Sequence, residues 1–144
     1  MSTFKVFDIA GSGMAAQSVR INTVASNLAN ANSLSGDPTK VYRARHPVFE
    51  AVKGAVTGAA GGASQEANAA VRVAGIVEAD APASARYEPG NPLADSNGYV
   101  YAPNVNVVEE MVDMISASRS YQNNVEVMNT SKDMLLATLR LGQA

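Results

Sequence analysis

The sequence predicts a mainly α protein. Two long terminal helices pack as an antiparallel coiled-coil-like pair around a loop-rich middle that holds a few short β-strands and a hairpin, and the molecule is elongated. Residues from about Phe4 to Ala31, and again from about Val107 to Leu141, carry apolar side chains at helical steps of three and four. The segment between them is crowded with Gly, Pro and Ala. At 144 residues the chain is long enough for one modest domain, so the apolar stripes have only each other, or further copies, to pack against. The expected division is a terminal-helix domain of residues 1–33 and 104–144, and a middle segment of residues 34–103.

The first helix has a narrow seam of Phe7, Ala10, Met14, Gln17, Ile21, Val24, Leu28 and Ala31, in which Gln17 alone is polar. Its other faces carry only Lys5, Asp8 and Arg20 as charges. An amphipathic surface helix turns a charged face to water. Here that face is Ala, Ser, Asn, Gln, Gly and Thr, which predicts a helix surrounded on more than one side; the alternative is a water-facing helix with a bland surface. The Asn-rich run from Asn27 to Ser33 ends it, because Asn tolerates left-handed backbone and competes for helical hydrogen bonds.

Ser35-Gly36-Asp37-Pro38 supplies a turn. Residues 41–45 and 47–49 read as two short extended pieces. Residues 54–70 are Ala/Gly-rich and read as a flexible loop. Residues 71–78 alternate as a strand, residues 84–88 read as a second, and Asp95-Ser96-Asn97-Gly98 forms a hairpin turn into Tyr99-Val100-Tyr101. Pro89 and Pro92 exclude a ladder between these pieces.

In the last helix Asn106 is placed to cap, with Glu109 at the third helical position and Gly142 where a left-handed cap is favoured. Its predicted seam is Val107, Met111, Met114, Ser118, Tyr121, Val125, Met128, Lys132, Leu135 and Leu139. The expected packing sets Phe7, Met14, Ile21, Val24 and Leu28 against Val107, Met111, Met114, Tyr121, Val125, Met128, Leu135 and Leu139, within one chain or between neighbours. About 35 residues at 1.5 Å each is roughly 52 Å, too long for a compact globule of this size.

The net charge of −2 leaves no basic footprint for nucleic acid or an anionic membrane. Absence of cysteine removes a disulfide frame and thiolate metal sites, and suits an extracytoplasmic protein. No apolar run follows Lys5 to make a secretory signal, and none approaches a membrane span. His46 is the sole histidine and precedes Pro47 in a turn-like stretch, a poor setting for catalysis. Glu109, Glu110 and Asp113 could draw a cation, but carboxylates at a helix start are better explained by the helix dipole. Gly11-Ser12-Gly13 lacks the preceding strand and the Lys of a phosphate loop. The sequence therefore predicts a building block, with no enzyme activity, metal or cofactor.

Residues Ile9-Ala10-Gly11-Ser12-Gly13-Met14-Ala15-Ala16-Gln17 and Val24-Ala25-Ser26-Asn27-Leu28-Ala29-Asn30-Ala31 resemble the opening signature of bacterial flagellar rod and hook proteins. Residues 104–112 and 115–125, from Asn104 through Glu110, Arg119 and Tyr121, resemble their closing signature. The stretch Tyr87-Glu88-Pro89-Gly90-Asn91-Pro92-Leu93-Ala94-Asp95 is similar to that of the proximal rod subunits. The motif residues are Asn27, Asn30, Pro89, Gly90, Asn91, Pro92, Asn104, Glu110, Arg119 and Tyr121.

The resemblance implies a structural subunit exported by the flagellar type III apparatus without a cleaved signal. It implies helical assembly into the hollow periplasmic drive shaft that transmits torque and carries the export channel. The implied partners are further copies of the chain, the proximal rod proteins FlgB, FlgF and FliE, the distal rod protein FlgG, and the membrane-ring protein FliF. Two alternatives stay open at this level: a small helical adaptor or export chaperone, and the sister subunit FlgB. The Glu-Pro-Gly-Asn-Pro stretch and residues 111–115 weigh against FlgB.

Overall fold

The computed structural model describes residues 3–53 and 69–142. Six elements follow in chain order: α1 (Thr3–Asn30), β1 (Arg45–Lys53), β2 (Ala69–Glu78), β3 (Ser84–Tyr87), β4 (Tyr99–Ala102) and α2 (Val107–Leu141). Both terminal helices stand where the periodicity puts them. The Ala/Gly-rich stretch lies outside the described residues, except for its last two positions, which open β2.

α2 begins at Asn106, whose backbone is extended and whose side-chain oxygen accepts from the Val108 amide at 3.1 Å. Glu109 and Glu110 sit in its first turn, where carboxylates suit the positive end of the dipole. Its far end departs from expectation. Gly142 has φ −82°, right-handed rather than left-handed, and its N–H simply continues the helical pattern to the Thr138 carbonyl. At 1.5 Å per residue α2 is about 52 Å long.

Four strands make two antiparallel ribbons, β1–β2 and β3–β4. Residues 41–44 are not strand; the two expected extended pieces merge into the nine-residue β1. Pro47 is accommodated inside β1, in register with Ile76, because a two-stranded ribbon leaves each strand an edge that needs no donor. A register shift follows at Val48/Phe49, opposite Gly75. The ribbon lies along α1: Ser12 Oγ accepts from the Val71 amide at 3.2 Å, and Arg45 at the other end meets Asn27.

The β3–β4 hairpin closes on Asp95. Its Oδ1 accepts from the amides of Asn97 and Tyr99, both at 2.9 Å. These bonds, the Tyr99 amide first, hold the Asp95 carboxyl below the usual carboxylate range. Gly98 takes φ +82°, and an added Cβ would lie 3.0 Å from the Tyr87 ring and 3.2 Å from Pro89, so this turn requires glycine. Tyr87 and Tyr99 meet edge to face above it, with centroids 5.3 Å apart. Ser35 and Tyr101 exchange backbone hydrogen bonds at 3.0 and 2.8 Å, tying the segment after α1 to β4.

Candidate assembly interface

The contact between the helices is polar and close. Three pairs mark it. A Cβ on Gly13 would sit 3.0 Å from the Asn124 amide. Arg20 donates to Asp113 at 2.7 Å. Asn27 donates to Glu110 at 3.0 Å. As the position rises along α1 it falls along α2. On α1 the pairs recur every seven residues, the coiled-coil period.

The last pair belongs to a buried polar junction. Asn27 is fully buried and Glu110 is 5% exposed. The Asn27 amide also donates to the Arg45 carbonyl at 2.8 Å, while its oxygen accepts from the Tyr42 hydroxyl at 2.8 Å and the Arg45 N–H at 3.0 Å. One side chain therefore joins α1, α2 and the entry to β1. Burial pushes the Tyr42 phenol up, with a smaller contribution from the Glu110 charge opposed by Arg45. The second Glu110 oxygen is buried with no hydrogen-bond partner in the chain. Nearby, Asn104 accepts from the Ala44 N–H at 2.8 Å and donates to the Ala81 carbonyl at 2.8 Å, drawing both ribbons to the start of α2.

Several motif residues are thus structural ties: Asn27, Glu110 and Asn104 at the junction, and Asn91, which bonds Glu88 and the Leu93 N–H. Asn30 bonds back to the Ser26 carbonyl. Pro89, Gly90 and Pro92 are exposed in the hairpin loop, and Arg119 and Tyr121 on α2. Glu110 and Asp113 point to separate partners and do not converge on a shared cation position. Among the described residues no group of acids or histidines could hold a metal ion, and no helix is long and apolar enough to cross a membrane. His46 is exposed on β1.

The α1 seam holds in part. Ala10 and Val24 are buried, and Phe7, Met14, Ile21 and Leu28 are half-buried. On α2 the face turned to α1 differs from the expected seam. Met114, Val125, Met128 and Leu135 are half-buried, but Val107, Met111, Tyr121 and Leu139 are exposed. Glu110, Ala117 and Ser131 are the buried residues of α2, and they recur at multiples of seven. Apolar residues nearly encircle the first turns of α2, so periodicity cannot select one face. The polar partners on α1 select it: Asn27 claims Glu110 and Arg20 claims Asp113. Opposite the seam, Val108, Val112 and Ile115 are 70%, 60% and 55% exposed.

Comparison with known proteins bears on what such a surface serves. Residues 7–33 match the family described as flagella basal body rod protein, and residues 96–141 match the flagellar basal body rod FlgEFG protein C-terminal family. The chain is 54% identical over 143 residues to the flagellar basal-body rod protein FlgC of Salmonella typhimurium, covering 99% of this chain and all of that one. It is 52% identical to the protein of that name in Yersinia enterocolitica, with the same coverage. With the Aquifex aeolicus protein of that name identity is 42%, over 96% of both chains.

Proposed function

The chain belongs to the FlgC family of flagellar basal-body rod proteins, as a structural rod subunit, and from that premise we propose that it builds the proximal rod by helical assembly through its terminal helices. Residues 1–33 and 104–144 form the inner tube as an antiparallel coiled-coil-like pair, and residues 34–103 reach outward to neighbours. The subunit leaves the cytoplasm through the flagellar type III apparatus and works in the periplasm. Its neighbours are further copies, FlgB, FlgF, FliE and FlgG, with FliF beyond them. The adaptor and FlgB readings are not favoured by full-length likeness to FlgC proteins.

One observation carries the proposal. The helices meet through small and polar side chains, and large apolar residues of α2, Val107, Met111 and Leu139 among them, remain exposed in the single chain. Such a surface suits a core completed by neighbours. Torque then passes through repeated helix contacts, with no chemistry.

Leu28→Asp tests it. The charge enters the half-buried seam of α1. The variant is expected to be expressed but absent from purified basal bodies, and the cells to be non-motile. Normal incorporation and motility would overturn the seam's role in assembly.

A further inference from the structure

The uncovered faces of the two helices complement each other, and we propose that the outer face of α2 in one subunit packs against the third face of α1 in a second copy of this chain, in one fixed register. This deepens the assembly reading and rests on it. α1 has one side on α2, at Gly13, Arg20 and Asn27, and another on the β1–β2 ribbon, at Ser12. Its third side is uncovered: Asp8, Ala15 and Ser18 are exposed there, and Gly11 lies between them.

Gly11 and Gly13 differ. A side chain at 13 would crowd Asn124, so the fold explains that glycine; one at 11 would meet nothing within 4 Å. Glycine is a poor helix former, and at position 11 the single chain gives no reason for it. A close-packed helix from outside does.

The outer face of α2 supplies that helix. Val108, Val112, Ile115 and Arg119 follow one another at helical steps and all are exposed. Copies related by a rotation and rise along the helix axis keep α1 and α2 opposed in direction, so α1 of one copy meets α2 of the next as an opposed pair. Setting Asp8 against Arg119 then places Gly11 at Ile115, Ala15 at Val112 and Ser18 at Val108. Every small residue faces a bulky apolar one. The single exposed acid on this side of α1 faces the single exposed cation of the stripe, and neither has an ion-pair partner among the described residues. The contact joins two different patches, which propagates into an open helix.

The chain has no cysteine, so a designed pair reports the register cleanly. Ala15→Cys and Val112→Cys are introduced together in the full chain, and oxidised basal bodies are run on a non-reducing gel. The expected result is a dimer and a ladder above it. A15C with V112C cannot close within one chain, because these residues lie on outward faces. Moving the first cysteine to Ala29, two heptads along the same face, is expected to lose the ladder. Basal bodies that contain the doubly substituted chain but yield only monomer, a product with a different rod protein, or the same ladder from the A29C pair would overturn the register. Absence of even the unsubstituted chain from basal bodies would instead overturn the rod assignment. A second test needs no disulfide. Asp8→Arg and Arg119→Asp are each expected to lower incorporation, and the double reversal to restore it; failure of the double variant to restore it counts against the contact.

Discussion

The two ends of the helix pair are built differently. At one end Asn27, Glu110, Tyr42 and Arg45 form a buried hydrogen-bonded junction that gathers both helices and the ribbons. At the other, α2 runs on to Leu141 with Met134, Leu136, Leu139 and Leu141 exposed, and its one buried residue, Ser131, bonds only to its own Val127 carbonyl. The first end is finished within the chain. The second is left for neighbours. The difference teaches that polar side chains here set alignment, while apolar ones are held in reserve for assembly.

Asn27→Ala should break the contrast most severely. It strands four hydrogen-bonding groups in a buried place, an expected loss of about 3–4 kcal/mol of monomer stability by urea unfolding. A shift below that of a surface substitution would show that the junction is not the anchor. Gly98→Ala strikes the hairpin beside the finished end. Positive φ and the near contact with Tyr87 should cost about 1–3 kcal/mol, measured as a lowered thermal midpoint.

Arg20→Ala removes an ion pair that is 24% and 44% exposed, midway between the two ends. Screening by solvent limits its effect to about 1 kcal/mol or less, weaker still in high salt. At the open end Ser131→Ala should change stability by only a few tenths of a kcal/mol, since its bond is local to the helix. An Asn27-sized loss there would erase the comparison.

Acid should also separate the regions. The Asp95 carboxyl is depressed by amides of its turn, and the Asp37 carboxyl by the Thr39 hydroxyl and amide. A lowered folded pKa adds stability above the unfolded value, about 3.9, that is lost as pH falls through the folded value. The turns at residues 35–40 and 95–99 should therefore loosen below about pH 4 while α1 holds, read by residue-resolved amide exchange.

Much of this was legible in the sequence. The last helix, its Asn106 cap and the Asp95–Gly98 turn stand where residue chemistry put them, because each depends on near neighbours. The face α2 turns to α1 was not legible. Its first turns are apolar on nearly every side, and only long-range partners, Asn27 for Glu110 and Arg20 for Asp113, decide the rotation. Of the candidate site, Asn27, Asn104 and Glu110 were found as motif positions, but their role as a joint required the distance from residue 27 to residue 110 to be closed. The Gly142 cap failed for a simpler reason: right-handed backbone is open to glycine too.

The recurring pairs between the helices also govern how the hairpin yields to force. Sliding α1 along α2 strains Gly13–Asn124, Arg20–Asp113 and Asn27–Glu110 together, like teeth engaged on a rack. Prying the helices apart from the open end strains them one after another. The subunit is therefore stiff in shear along its length and weak against peeling, which suits a part loaded along its axis and flanked on every side.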